Sequence, residues 1–448
     1  MQQEEVKVPR RILTSLLASL SAGVVPRTGA PYIAIGRKEE IGAFLSDLET
    51  VSEGGAAMRF LIGRYGSGKS FLMQLVRGYA LERDFLTADA DLSPERRLYG
   101  TSGTGVATYR ELMKNLASKA SPDGGALPKV IARWISGLQA EAGLETGNPE
   151  KLTALVADTL RDVEFLVGGF DFARVISAYY RAYLEGEDEK MSACLCWLRG
   201  EFATKSEARA ALGFPVSQII DDENWYDFIK LWAVLARKIG YRGLVVFIDE
   251  CVNLYKITHR VSRENNYEKI LSMFNDALQG KAEGLLLVLG GTPQFLEDPR
   301  RGLFSYEALR SRLCDSRFAD EEFRNLIGPV IRLRRLSDDE LYALIVRVTT
   351  LYGQAYHWEP RITEEQRTKF LTLCLSRAGA DQLMTPREIL RDYLTVLGIL
   401  MQNENVDFDT IAKKVTAGSE PVPESDEKSN TPPDGVKKSN FDPNDLIL

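Results

Sequence analysis

Histidine is almost missing from this chain of 448 residues, which carries only His259 and His357. A histidine-based metal centre or a Ser-His-Asp triad is therefore not expected. Cysteine is scarce too, limited to Cys194, Cys196, Cys251, Cys314 and Cys374. No pair has zinc-knuckle spacing, and the odd count fits reduced thiols in the cytoplasm. No apolar run reaches about 18 residues, so no membrane span is expected. The opening MQQEEVKVPRR lacks the apolar stretch of a signal peptide. ILTSLLASL after it is amphipathic and stops at Gly23, which reads as a helix. Positive charge is not in excess either, since 56 Lys and Arg against 63 Asp and Glu leave a net charge of −7. Any contact with nucleic acid would need a local basic patch. What remains is ordinary for a globular protein of two or three domains, with 44% hydrophobic and 27% charged residues.

Against these absences stands GRYGSGKS, from Gly63 to Ser70, which fits the phosphate-loop pattern G-x-x-x-x-G-K-[ST] throughout. Glycines let the backbone wrap closely around phosphate oxygens, and the loop N–H groups and the next helix N-terminus supply positive potential. The candidate nucleotide contacts are Gly63, Arg64, Tyr65, Gly66, Ser67, Gly68, Lys69, Ser70 and Phe71. Lys69 would reach the β- and γ-phosphates and Ser70 would ligate Mg²⁺, so ATP and Mg²⁺ are the expected ligands. MRFLI (Met58 to Ile62) before the loop reads as a buried strand, and FLMQLVRGYALER (Phe71 to Arg83) after it as a helix.

The rest of the chain divides around that unit. Residues 1–35 read as a helix and a loop, and 36–335 as an α/β core with a parallel sheet flanked by helices. Helical segments fill a large insertion at about 95–240, where a structureless loop of that length would be abnormal. The aromatics there, including Trp134, Trp197, Trp225 and Trp232, read as core. FLTADADL, LVVFIDE, GLLLVLGGTP and PVIRLRRL read as further strands, the unbroken apolar runs being typical of parallel sheets. Residues 336–405 read as a helical lid of three helices. Capping boxes open two of them at Ser337 and Thr363, and Thr385-Pro386 opens the third. A small helical domain after such a core is the layout of an AAA+ ATPase. Residues 406–448 read as a tail; from about Ala417 its Pro, Ser, Asp, Glu and Lys predict disorder. Its apolar tip, FDPNDLIL, reads as a docking peptide or as a frayed end.

LVVFIDE has the form of a Walker B strand. Asp249 would help hold Mg²⁺ through water, and Glu250 would polarise the attacking water as general base. Thr292, after GLLLVLGG, lies where AAA+ proteins carry sensor 1; a turn threonine is the alternative, because Gly290-Gly291 also predicts a turn. Arg310 and Arg312 share one predicted helix, with Arg317 beyond. Arg312 and then Arg310 are the candidates for an arginine supplied to a neighbouring subunit's site, and a solvated basic face is the alternative. Arg387 opens the last lid helix, the place of sensor 2, or is simply solvated there. Gly36-Arg37 lies where related ATPases contact adenine, or is a plain helix entry.

GRYGSGKSFLMQLV, ADLSPERRLYG, YRELMKNL, ARAALGF, GYRGLVVFIDECVNLYK, NNYEKILSMFNDALQG, LGGTPQFLEDPRRGLFSYEALRSRL and TPREILRDYL together resemble the ATP-binding proteins of BREX phage-defence islands, the BrxC/BrxD-like P-loop family. The length suits the shorter, BrxD-like branch. The resemblance implies an AAA+ ATPase akin to the initiator clade, encoded beside other defence proteins such as a helicase. It also implies that Lys69, Ser70, Asp249 and Glu250 carry the nucleotide and Mg²⁺ chemistry and that Thr292 and Arg387 match the sensors. The chain departs from initiators in lacking room for a winged helix after the lid. DNA contact would then fall to the insertion or to core arginines such as Arg300, Arg301, Arg332, Arg334 and Arg335, which otherwise read as a solvated or intersubunit surface.

Two functions remain open on these residues. One is a motor or loader that self-associates into a ring or partial ring and remodels a partner on DNA without reading its sequence. The other is a nucleotide-gated scaffold with slow turnover and no direct role on DNA. A kinase-like phosphotransferase lacks any sign of an acceptor pocket.

Overall fold

The computed structural model describes residues 8–142, 149–314, 325–375, 385–406 and 408–411. Arg317 and the expected tail beyond 411, with its apolar tip, lie outside the described residues.

Five parallel strands form one sheet in the order β2-β3-β4-β1-β5. They are β1 (Ala57–Ile62), β2 (Leu86–Asp91), β3 (Leu244–Asp249), β4 (Leu285–Gly291) and β5 (Val330–Arg332). Every residue of β3 and β4 is buried, which explains why both read as unbroken apolar runs. Successive side chains go to opposite faces. Val245 and Phe247 of β3 meet Phe44, Leu48, Leu72 and Val76 from the helices Lys38–Ser52 and Lys69–Glu82. Leu244, Val246 and Ile248 face the other way, toward Ile270, Met273 and Phe274 of the helix Arg260–Leu278. The order puts β4 between β1 and β3, so the ends of three neighbouring strands carry Gly63, Thr292 and Glu250 side by side.

Between β2 and β3 the chain is helical, including Thr104–Lys114, Leu127–Ala142, Pro149–Glu164, Gly169–Glu185 and Trp225–Lys238. Trp134, Trp197, Trp225 and Trp232 are all buried, continuous with the apolar layer under the sheet. Their polar atoms help lock that layer: Trp225 Nε1 donates to the Leu98 carbonyl at 3.0 Å and Trp232 Nε1 to the Tyr109 hydroxyl at 3.1 Å.

After β5 come the helices Asp338–Tyr356, Glu364–Leu375 and Pro386–Gln402. Ser337 and Thr385 close reciprocal capping boxes with Glu340 and Glu388, and Thr363 does the same with Gln366. The amphipathic helix Arg10–Ser21 packs on this group, with Leu13, Leu16, Leu17 and Leu20 among Leu344, Ile345, Val348 and Leu397. Phe408 and Ile411 are buried in the same cluster.

Two expectations need correction. Gly290 and Gly291 do not make a turn; they are the last two residues of β4, paired with Leu61 and Ile62. A Cβ on Gly290 would lie 2.7 Å from Met73 Cε and 3.0 Å from Asp249 Cγ, so the pair serves close approach. The fifth strand spans only Val330–Arg332, because the chain leaves β1 there to enter the lid. Arg59 of β1 is buried and forms a two-pronged ion pair with Asp47 at 2.7 Å, while also donating to the carbonyls of Leu326 and Ile327.

Candidate functional site

The phosphate loop leaves β1 at Gly63 and enters the helix Lys69–Glu82 through Gly68, whose φ of +91° suits glycine. Gly63 N–H donates to the Gly291 carbonyl at 3.1 Å, which ties the loop to β4. A Cβ on Gly68 would meet nothing within 4 Å, so the cradle is open at the helix N-terminus. Gly66 at φ +73° packs against Thr385, the cap of the last lid helix; a Cβ there would lie 2.6 Å from Thr385 Cβ.

Lys69 Nζ bends back to the loop carbonyls of Gly63 and Arg64 at 3.0 and 3.2 Å. Burial lowers its pKa, and the nearby Asp249 and Glu250 partly offset that. Ser70 Oγ donates to Asp249 Oδ2 at 2.7 Å. The other carboxylate oxygen, Oδ1, accepts from the Glu250 N–H at 2.8 Å. Glu250 itself is exposed and adopts φ +56°, a left-handed conformation rare for a residue with a side chain. It immediately follows β3 and lines one cleft with Lys69, Ser70, Arg37 and Arg387.

A third acid joins them, and no motif points to it. Asp91 ends β2 in register with Asp249. Its carboxyl is pushed up by burial and then by the charges of Asp249 and Glu250. The only local signal is an acidic residue closing the strand LTADAD.

The cleft also has an apolar lining, which includes Val24, Val25, Ile33, Ile35, Leu344 and Leu390. Sequence reasoning missed these because the first four sit in the lead-in loop and the others in lid helices. Arg37 lines this cleft, and Gly36 precedes it in the chain. Arg37 is buried and donates to the carbonyls of Ser67 and Arg334.

The remaining candidates are spread out. Thr292 Oγ1 accepts from the Phe295 N–H at 3.3 Å as the cap of a short helix, Pro293–Glu297. It lines a neighbouring groove with Arg64, Tyr65, Arg300 and Arg335. Arg310 and Arg312 are exposed on the helix Glu307–Leu313 and do not line the Lys69 cleft. Of the other core arginines, Arg301 donates to the carbonyls of Tyr255 and Ile257 and stacks on Tyr255. Arg332 pairs with Glu297, and Arg334 lies 3.6 Å from Glu340.

These residues suit a nucleotide triphosphate. Lys69 is held by two loop carbonyls, which phosphate oxygens can replace, and among the described residues the buried Ser67 hydroxyl of the loop has no hydrogen-bond partner. The Ser70–Asp249 pair suits Mg²⁺, a hard cation that takes few protein oxygens and keeps several waters. Among the described residues no group of three His, Cys, Asp or Glu is arranged to hold a metal, so a cation here would depend on that pair and on the phosphates. No helix among the described residues is long and apolar enough to cross a membrane.

A parallel sheet of this order, with a glycine-rich loop after β1, an Asp-Glu pair after β3 and a helical group behind β5, defines an α/β P-loop ATPase core of the AAA+ type. The chain belongs to the family described as BREX system ATP-binding protein BrxC/D, which matches residues 8–416. ATP is therefore a ligand of its family, and its setting is a BREX system. No curated protein matches the chain.

Proposed function

We propose that this chain is an ATPase of anti-phage defence that binds ATP with Mg²⁺, hydrolyses it, and uses the cycle to act on another component of the system. The observation that carries this reading is the meeting of Lys69, Ser70 and Glu250 on one cleft, with Asp249 bonded to both Ser70 and the Glu250 backbone.

Loop N–H groups and Lys69 would hold the phosphates, with Lys69 exchanging its two carbonyl partners for phosphate oxygens. Ser70 and Asp249 would hold Mg²⁺, which neutralises phosphate charge when bound. Glu250 would orient a water and take its proton as the water oxygen attacks the γ-phosphorus and the bond to the bridging oxygen breaks, leaving ADP and phosphate. The apolar part of the cleft lining would take the adenine, and Arg387 would sense the γ-phosphate from the lid. Thr292 would orient the water only if the groove it lines joins the cleft in an assembly. Arg312 or Arg310 would act on a neighbouring copy, since both are exposed and neither lines the Lys69 cleft.

We further propose a core at 36–335 with its insertion at about 95–240, a lid at 336–405 joined by the N-terminal helix, residence in the cytoplasm, and a ring or partial ring that loads or remodels a helicase-like partner on DNA. A gate with slow turnover and no DNA role is the second reading. It is favoured by the intrachain use of Arg301, Arg332 and Arg334, which leaves fewer guanidinium groups for a phosphate backbone.

Lys69→Ala and Glu250→Gln tested side by side decide between them. In a phage-protection assay an ATPase-driven machine fails with both. A gate fails only with Lys69→Ala. Absence of ATP uptake by the unaltered chain in calorimetry would refute both readings.

A further inference from the structure

Arg37 touches more of the nucleotide machinery than an adenine contact needs. It is only 5% exposed. One terminal nitrogen, Nη2, donates to the Ser67 carbonyl at 2.9 Å and to the Arg334 carbonyl at 2.8 Å. The other, Nη1, faces Glu40 at 3.7 Å, and that carboxylate is itself buried. The first carbonyl belongs to the phosphate loop. The second lies between β5 and Ser337, the cap of the first lid helix. Arg334 in turn approaches Glu340, whose other oxygen accepts from the Ser337 N–H at 2.8 Å. Gly36, beside Arg37, packs so tightly on Glu340 that a Cβ there would lie 2.5 Å from its Cδ.

The Ser67–Gly68 peptide is planar and trans, so its C=O and N–H point in opposite directions. A guanidinium that pins the Ser67 carbonyl fixes the plane of that peptide, and with it the direction of the Gly68 N–H beside the cleft that Arg37, Ser67 and Gly68 all line. We propose that Arg37 is a positioning residue with two linked tasks: it sets the Gly68 N–H as a phosphate donor and ties the phosphate loop to the hinge of the lid. Phosphate binding that turns the Ser67 peptide must then shift or strain the bond to Arg334, which carries the state of the nucleotide to the lid. The inference rests on the ATP-binding reading of this site and deepens it by naming the route of regulation.

The test uses the full-length chain with Arg37→Lys and Arg37→Ala. Lysine keeps the charge but lacks the planar fork that bridges two carbonyls. Calorimetry with ATP should show affinity falling roughly tenfold or more in both variants. Adenosine, competed against a fluorescent adenine nucleotide, should bind the variants as it binds the unaltered chain. Amide exchange over residues 333–344 should respond to ATP in the unaltered chain and lose that response in Arg37→Lys. A merely structural role would lower the nucleotide-free melting temperature and leave the ATP response in place. Arg37→Lys with unaltered ATP affinity and an unaltered exchange response overturns the inference alone. Equal loss of adenosine and ATP overturns it in favour of a base contact. An unaltered chain that takes up no ATP sinks the reading of the whole site.

Discussion

Gly290→Ala offers a one-methyl test of the carboxylate at the centre of the site. Gly290 lies in β4, where its backbone has no need of glycine's conformational freedom, so alanine there is acceptable to the strand. The added Cβ would meet Asp249 Cγ at 3.0 Å, with Oδ1 closer still, and Met73 Cε at 2.7 Å. Met73 ends in a flexible thioether and can move aside. Asp249 cannot move without stretching its bonds to Ser70 Oγ at 2.7 Å and to the Glu250 N–H at 2.8 Å. Restoring ordinary contact requires the carboxylate to retreat by roughly 0.5–1 Å. A misplacement of that size costs about 10²-fold in rate when the displaced group orients the chemistry. The atoms nearest the added Cβ belong to Asp249 and Met73 and not to Lys69 or Gly63–Gly68, so ATP affinity measured without Mg²⁺ should change little. Steady-state phosphate release alongside calorimetric ATP binding measures both. Turnover within about threefold of the unaltered protein, with ATP still bound, would refute the placement of Asp249 at the reacting end. Gly291→Ala is the control, because its Cβ would press on Phe295 instead of Asp249. It should cost stability through overpacking, about 1–3 kcal/mol, with a smaller loss of turnover per nucleotide bound.

Two further outcomes follow from strain and burial. Glu250 holds φ +56°, so Glu250→Gly should unfold at higher urea than Glu250→Gln, by about 0.5–1 kcal/mol after glycine's extra chain entropy is subtracted. Neither variant should turn over ATP, and a glycine variant less stable than the glutamine one would contradict the strain. Asp47→Ala strands the Arg59 guanidinium in a buried position and should cost about 3–5 kcal/mol in urea unfolding. Asp47→Leu with Arg59→Met should recover most of it; a loss below about 1 kcal/mol in the single variant would show that the pair is dispensable.

The parts of the site readable from sequence are those whose chemistry depends on neighbours in the chain. GRYGSGKS, LVVFIDE and the capping boxes at Ser337, Thr363 and Thr385 declare themselves within eight residues or fewer because a loop, a strand end and a helix cap are local objects. The buried tryptophans of the insertion were legible for a similar reason, as periodic apolar faces with nowhere else to go. Gly290-Gly291 misled because local preference says turn, whereas the Asp249 carboxylate from another strand requires Gly290 to be bare and the Phe295 ring requires the same of Gly291. Asp91 was invisible because its nearness to Asp249 is a matter of sheet register over a separation that spans the whole insertion.

From composition and spacing alone, the chain was bound to be a nucleotide-binding α/β protein with Lys69 and Ser70 on one element and Asp249 and Glu250 on another, since each motif is set by backbone geometry over a few residues. Folding alone decided that the lead-in loop and the lid would share an apolar recess, that Arg37 would bond to the phosphate loop, and that Thr292 would open onto a separate groove. Such pairings come from strand order and helix packing, where burial of many distant apolar side chains settles the outcome and no short segment records it.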